Sequence, residues 1–148
     1  MLDEELARTA ECRLVTTGRV SGRPREITIW FAAAGDRVYL LSGGGDASHW
    51  VRNLQLEPRV VVRIGDRAFE GRAAVVADPA DADDGAARAA IAGKYGTTGL
   101  TTWLRTALPV AIQLERELGP EDGGDAGGVA GEPSDLAFGR RVDPNSST

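Results

Sequence analysis

The sequence predicts a mainly β protein whose strands form a closed or nearly closed β-barrel with peripheral helices. Runs rich in β-branched and aromatic residues are joined by the dipeptides Gly35-Asp36 and Gly65-Asp66, which favour tight turns between antiparallel strands. Short helical patterns interrupt this series of strands. An open sheet of this size would leave hydrophobic edges exposed, so we expect the sheet to close on itself.

Length and charge predict one folded domain with an acidic tail. The chain has 148 residues, of which 42% are hydrophobic, and a net charge of -5. Six acids and two arginines lie in 119–148, so this segment carries -4 of the charge and 1–118 only -1. We expect a barrel domain over 1–118 that binds a cofactor, followed by a flexible, acidic, glycine-rich tail over 119–148. The acidic balance argues against nucleic acid or an anionic membrane as a partner.

The chain is expected to work in the cytoplasm. Cys12 is the single cysteine, so no intrachain disulfide can form, and a reducing compartment is the simplest setting. No apolar run approaches the ~20 residues of a transmembrane helix, and the acidic N-terminus lacks the order of a signal peptide. Cys12 precedes an apolar strand, where a buried and inert thiol is expected.

In the first third of the chain, the pattern predicts one helix and three strands. The helix covers 2–10, where leucines and alanine recur four residues apart. A strand over 13–17 leads into the turn GRVSGRP, and 26–33 alternates between two faces. The third strand covers 37–42.

The rest of the chain predicts two more helices and three more strands. After the glycine run, Asp46 or Ser48 can cap a helix that stops before Pro58. Two strands, 59–64 and 68–76, form the second hairpin. The acidic, alanine-rich stretch 79–92 reads as an exposed helix and 93–102 as a loop or broken helix. The last strand covers 109–114, although the sequence VAIQLEREL is also compatible with a helix.

Four arginines fall together around the first turn: Arg13, Arg19, Arg23 and Arg25. No acid occurs between Glu11 and Glu26. Arginine offers a fork of donors that matches phosphate or carboxylate, so the turn predicts a site for an anionic ligand. From spacing alone, a solvated arginine-rich surface is an equal alternative.

Other motifs carry weaker signals. The run Ser42 to Gly45 before a helix resembles a phosphate cradle, but it lacks the spacing of a P-loop or of a dinucleotide fold. His49 is the only histidine, so no histidine cluster predicts a metal site. Trp50 and Asn53 share a helix face, on which Asn53 is the more informative residue because it is polar. No set of residues suggests an acid, base or nucleophile, which favours redox chemistry carried by a cofactor over hydrolysis.

Three segments together resemble the deazaflavin-dependent nitroreductase family: TTGRVSGRPR, LSGGGDASHWVRNL and PRVVVRIGDRAFEGRA. The resemblance covers about 12–76. It implies a split β-barrel of the FMN-binding-like type, monomeric or dimeric. Such a protein uses reduced coenzyme F420 to pass a hydride to a quinone, a nitro compound or an enone.

The resemblance also implies which residues bind the cofactor, with none catalytic. Arg19, Ser21, Gly22 and Arg25 would hold the anionic tail. The ring would be lined by Thr28, Trp30, Leu41, Ser42, Gly43 and Gly44, and the pocket would be closed by Trp50 and Asn53. Because a barrel this small fills its own interior, a flat cofactor is expected outside it, at a subunit interface. An FMN-dependent reductase of the same fold, and a non-catalytic protein that binds a flavin, a deazaflavin or a fatty acid, are the alternatives.

Overall fold

The computed structural model describes residues 2–119. The strands are β1 (Cys12–Thr17), β2 (Pro24–Ile29), β3 (Ala32–Ala34), β4 (Arg37–Ser42), β5 (Arg59–Ile64), β6 (Arg67–Val75) and β7 (Leu108–Leu118). The helices are α1 (Glu4–Ala7), α2 (His49–Leu56), α3 (Ala82–Tyr95) and α4 (Thr101–Thr106), with a short 3-10 turn over Gly45–Ala47. All of the predicted tail except Gly119 lies outside the described residues.

The element order follows the prediction, and the structure settles three details. The strand predicted over 26–33 is two strands, because Trp30 and Phe31 separate β2 from β3. The region 93–102 is the broken helix that the prediction allowed, since α3 extends to Tyr95 and α4 begins at Thr101. The last run forms a strand rather than a helix and continues to Leu118.

The seven antiparallel strands form one sheet in the order β2-β1-β5-β6-β7-β4-β3. The two edge strands, β2 and β3, are consecutive in the chain and are separated only by Trp30 and Phe31. The Cα atoms of Ile29 and Ala32 can therefore be at most about 11 Å apart. Two opposite edges can lie this close only if the sheet curls round, so the predicted mainly β barrel is confirmed.

The joint between these edges consists of Trp30 and Phe31. The C-terminal end of α3 packs against it. The Lys94 ammonium donates to the carbonyl oxygens of Thr9 (2.7 Å) and Phe31 (2.8 Å), and burial lowers the pKa of Lys94 to about 8. The Tyr95 hydroxyl lies 2.6 Å from the Ala10 oxygen and 3.0 Å from the Phe31 oxygen. It also accepts from the Phe31 N–H at 3.1 Å. These bonds satisfy backbone groups that the strand break leaves without a neighbouring strand.

The interior of the barrel is apolar, and α2 closes one end of it. The inner side chains of the strands pack together with Trp50, Val51 and Leu54 from α2. Cys12 lies in this core, and burial raises its thiol pKa to about 12. The thiol is therefore protonated and inaccessible at neutral pH, as the sequence predicted.

A second apolar cluster lies outside the barrel, beneath α3 and α4. Ala87 and Ile91 of α3 and Trp103 of α4 cover the outer faces of β3, β4 and β7. The aspartates at the start of α3 do more than face solvent: Asp83 pairs with Arg37 (2.6 Å), and Asp84 pairs with Arg88 (2.9 Å). In the described part of the chain, no helix is long and apolar enough to span a membrane.

Candidate functional site

A cleft of about 360 Å³ lies where the end of β1, the turn to β2 and the start of α2 meet. It is lined by Thr16, Gly18, Arg19, Val20, Ser21, Arg25, Ile27, His49, Trp50 and Asn53. The first turn and the first residues of α2, which are more than twenty residues apart in sequence, therefore form opposite walls of one groove.

The arginine-rich turn is held in one shape by its glycines and by Ser21. The Gly18 N–H donates to the Arg23 oxygen at 2.7 Å, and the Gly22 N–H donates to the Gly18 oxygen at 2.8 Å. Gly22 has φ +72°, and a Cβ on Gly18 would lie 2.9 Å from the Ser21 Oγ. The Ser21 Oγ accepts from the Arg23 N–H at 3.1 Å. Ser21 therefore shapes the turn in addition to lining the cleft.

The register of the first hairpin directs Arg25 to the cleft. Thr16 pairs with Arg25 and Leu14 with Ile27, and Leu14 and Ile27 belong to the inner core. Because side chains alternate along a strand, Arg25 shares the inner face with these residues. It lies on that face at the mouth of the barrel.

Asn53 joins the two walls of the cleft. Its Oδ1 accepts from the Arg19 backbone N–H (3.1 Å) and from the Arg19 Nη1 (2.9 Å). Its Nδ2 donates to the Thr16 Oγ1 at 3.2 Å. Asn53 is only 5% exposed, so these bonds form largely out of water and fix the side chain of Arg19 against α2.

Arg19 is held by neutral groups. Besides Asn53, it contacts the carbonyl oxygen of His49 (Nη1, 3.4 Å) and the His49 Nδ1 (Nη2, 3.2 Å). Within the part of the chain that the structure describes, the residues that line the cleft include two arginines and no aspartate or glutamate. The two guanidinium groups give this wall a positive charge, which favours an anionic ligand. Next to it, the largely buried Ile27 and Trp50 supply an apolar part of the lining.

The structure brings together five of the residues predicted from sequence: Arg19, Ser21, Arg25, Trp50 and Asn53. Gly22 lies at the tip of the same turn and does not line this cleft. Thr16, Gly18, Val20, Ile27 and His49 line the cleft and were not in the predicted set. The alternation of β2 already places Ile27 on the face of Arg25, so this residue could have been found from sequence.

The residues predicted to line the ring lie elsewhere. Thr28 is on the opposite face of β2 from Ile27. Trp30 stacks on Tyr95 with ring centroids 4.2 Å apart, next to the outer cluster. Leu41 is 1% exposed within that same cluster. None of the three lines the cleft.

The glycine run is also separate from the cleft lining. Ser42 is fully buried, and its Oγ contacts the Gly45 oxygen (2.9 Å) and the Ser48 Oγ (2.8 Å). Gly43 and Gly44 lead into the 3-10 turn, and neither lines the cleft. Ser48 precedes α2 but makes no side-chain capping bond, because its hydroxyl is paired with Ser42. The run thus shapes the entry to α2.

Comparison with known proteins identifies the family. The family model described as F420H(2)-dependent quinone reductase matches residues 4–115. The chain belongs to this family. Its members use coenzyme F420, so the protein is an F420-dependent oxidoreductase. The cationic wall of the cleft fits an anionic coenzyme tail, and the apolar wall beside it fits a flat ring.

Solved structures of low sequence identity share the fold. A structure described as an F420-H2 dependent reductase is 22% identical, with 72% of this chain and 94% of that chain covered and a TM-score of 0.56. A conserved hypothetical protein from Mycobacterium tuberculosis is 22% identical, with 79% and 82% covered and a TM-score of 0.61. A heme storage protein from Vibrio cholerae is 18% identical, with 78% and 88% covered and a TM-score of 0.62. A search of curated proteins finds no match.

Proposed function

We propose that the cleft between the arginine-rich turn and α2 binds the anionic tail of coenzyme F420. The observation that carries this proposal is that Arg19 and Arg25, which come from the turn and from β2, line the same cleft. Guanidinium groups form charge-assisted bonds to phosphate and carboxylate that are about twice as strong as neutral ones. Two guanidinium groups on the wall of one cleft therefore give a site suited to an anionic ligand.

Arg19 and Arg25 are held by different parts of the fold, so we assign them different roles. Arg19 is fixed by Asn53 and His49 before any ligand binds, so little side-chain entropy is lost when it meets an anion. Arg25 extends from the inner face of β2 at the barrel mouth. Together they would hold the phosphate and the acidic part of the tail.

The ring of the coenzyme would rest on the apolar wall formed by Ile27 and Trp50. We propose these two residues for the ring side in place of Thr28, Trp30 and Leu41, which lie outside the cleft. When bound in its reduced form, coenzyme F420 supplies a hydride, which a small conjugated acceptor such as a quinone, a nitro compound or an enone receives. The chain's own residues bind and orient both molecules.

The proposal includes the setting of the reaction. The cleft is an open groove at the barrel surface, which supports a homodimer in which a second subunit covers the ring side. The lone buried cysteine is compatible with a cytoplasmic enzyme, and the net charge of -5 with a small-molecule partner rather than nucleic acid.

Replacing Arg25 with Glu tests the coenzyme site. Titration of the purified protein with oxidised F420 should give a Kd at least about tenfold weaker for Arg25→Glu, because a hydrogen bond to a charged group contributes about 1.5–3 kcal/mol. Arg23→Glu is the matched control: it makes the same charge change two residues earlier, in the exposed turn and outside the cleft lining. We expect it to change the Kd by less than about threefold. Equal effects of the two variants would contradict the assignment.

Activity is tested by mixing the protein with reduced F420 and menadione and following oxidation of the coenzyme. Turnover by the wild type, and much weaker turnover by Arg25→Glu at a fixed coenzyme concentration, is the expected result. A parallel titration with FMN tests cofactor choice. Binding of FMN in preference to F420 would contradict the proposed site, and binding of F420 without turnover would indicate a carrier.

A further inference from the structure

A groove of about 460 Å³ crosses the outer face of the sheet between β2 and β7. Four of its lining residues form one row across the strands: Val15 (β1), Val61 (β5), Glu70 (β6) and Arg116 (β7). The residues on either side of Val61 belong to the inner core. Because side chains alternate along a strand, the row faces outward, and we call this site the outer groove.

The described part of the chain has no helix over the outer groove. α2 closes one end of the barrel, and α3 and α4 cover β3, β4 and the first half of β7. No residue of a described helix lines the groove. Val61, Pro24 and Leu118 are half-buried and form its apolar floor. An apolar surface rimmed by polar residues is typical of an interaction site.

The charges at the rim of the outer groove are balanced on the β7 side. Arg59 and Arg116 both pair with Glu70, at 3.3 and 3.1 Å, and Arg59 also approaches Glu115 at 3.7 Å. Glu57, just ahead of β5, accepts from the Arg59 backbone N–H at 3.1 Å but forms no ion pair with another described residue. The rim therefore favours an occupant that combines an apolar part with a positive charge.

The chain itself carries a segment of this kind beyond the described residues. Leu118 ends β7 and lines the outer groove, so the tail leaves the barrel at this site. Leu136 and Phe138 are the largest apolar residues of the tail, and Arg140 and Arg141 follow them. Residues two apart in an extended chain share a face, so both apolar side chains can enter one floor with the arginines beyond it.

The length of chain before this segment matches the width of the groove. Neighbouring strands lie about 4.8 Å apart, so three spacings put β1 about 14 Å from β7. A glycine-rich chain of 18 residues, the number from Leu118 to Leu136, has a root-mean-square length of about 21–25 Å. Such a tether gives an effective concentration on the order of millimolar, at which even a weak contact is populated.

We propose that Leu136 and Phe138 dock in the outer groove of the same chain, with the two following arginines directed to Glu57. Gly22 also lines this groove. The docked segment would therefore pack against one side of the first turn, whose other side lines the coenzyme cleft. The inference goes beyond the proposed function and does not depend on it.

Paramagnetic relaxation enhancement in the full-length chain tests this docking. Cys12, the native cysteine, is buried, so a nitroxide label attaches only to a cysteine introduced by Ala137→Cys, between the two apolar residues. The label should cause a large loss of methyl signal at Val15 and Val61. Ile91, beneath α3 on the other side of the barrel, should lose much less signal.

Two further substitutions in the labelled chain separate docking from mere tethering. Leu136→Asp keeps the label and the tether but replaces an apolar contact by a carboxylate, so the methyl signal of Val61 should return. Val129→Asp is the matched control, because it adds the same charge to the same tail outside the docking segment. It should keep the signal loss of the parent chain.

Several results would overturn the proposal. Equal signal loss at Val61 and Ile91 would mean that the label samples the whole surface, and loss that persists in Leu136→Asp would exclude an apolar contact. Recovery in Val129→Asp as well would point to charge alone. Loss at Val61 in an unlabelled chain mixed with nitroxide-labelled chains would put the segment of a second copy in the groove. No arm of the test uses F420, so its failure leaves the coenzyme site standing.

Discussion

Asn53 is the residue on which the geometry of the cleft depends most. It is nearly buried, and its amide connects Thr16 of β1 with the backbone and the side chain of Arg19. Replacement by alanine would leave these polar groups without their partner in a poorly hydrated place. We expect Asn53→Ala to lower the free energy of unfolding by about 1–3 kcal/mol, measured by urea denaturation. Gln55→Ala, at an exposed site on the same helix, should change it by less than about 0.5 kcal/mol.

A second substitution at this position separates stability from affinity. Asn53→Asp keeps the oxygen that accepts from Arg19, and the hydroxyl of Thr16 can turn to donate to it. The fold should therefore lose less stability than in Asn53→Ala. The added carboxylate neutralises Arg19, however, so F420 should bind at least about tenfold more weakly. Unchanged affinity for Asn53→Asp would show that the coenzyme does not use Arg19.

At the same scale, sequence patterns identified polar residues of the cleft better than its apolar ones. Arg19, Arg25 and Asn53 stand out because charged and amide groups are conspicuous beside apolar neighbours. Thr28 was assigned to the ring, although alternation puts it on the opposite face of β2 from Arg25 and Ile27. The contact between His49 and Arg19 could not be predicted, because it needs the position of α2 relative to a turn thirty residues earlier.

At the scale of elements, local turn chemistry was predictable and the length of elements was not. The glycines of both Gly-Asp turns have positive φ, +64° at Gly35 and +62° at Gly65, as short hairpins require. The division of the strand predicted over 26–33 was missed because its cause lies in α3. Tyr95 and Lys94 bind the backbone of Phe31 from a distance of more than sixty residues in sequence.

Strand β6 has a glycine, Gly71, where the neighbouring strand β7 leaves no room for a side chain. A Cβ on Gly71 would lie 2.6 Å from the Gln113 backbone oxygen, beside the register shift between β6 and β7. Gly71→Ala should therefore force the two strands apart and destabilise the protein by about 1–3 kcal/mol. Gly85→Ala is the opposite case, since Gly85 is exposed within α3 and its Cβ would meet nothing. It should stabilise the protein by about 0.5–1 kcal/mol.

Thermal and urea unfolding of the two glycine variants check this pair. The contrast is informative because both substitutions add the same methyl group, and only the surroundings differ. A stabilising effect of Gly71→Ala would mean that β6 and β7 adjust their register without cost. Neither residue lines the cleft, so F420 affinity should stay within about twofold for whichever variant is folded.

For the whole molecule, closure of the barrel could be predicted, while the way in which it closes could not. Exposed hydrophobic edges argue for a closed sheet in any chain of this pattern. The strand order, however, depends on β7 returning between β4 and β6, and sequence alternation carries no information on such distant pairing. The joint at Trp30 and Phe31 then becomes the place where the two edges of the sheet meet, held by the end of α3.

This joint predicts where the barrel opens first. Burial raises the pKa of Tyr95, so its hydroxyl stays protonated and can donate to the strand ends up to high pH. Tyr95→Phe keeps the ring stacked on Trp30 and removes only the bonds to Ala10 and Phe31. We expect the free energy of unfolding to fall by about 1–3 kcal/mol.

Hydrogen exchange gives the decisive measurement for that variant. In Tyr95→Phe, the backbone amides of β2 and β3 next to the joint should lose more protection than those of β5 and β6, because local opening at the edges becomes easier than global unfolding. Tyr39→Phe is the matched control: it removes a hydroxyl that donates to Asp83 at 3.2 Å outside the barrel and should leave the edges protected. If Tyr95→Phe lowers protection equally in all strands, the edges at the joint do not open locally. The barrel then unfolds as one cooperative unit.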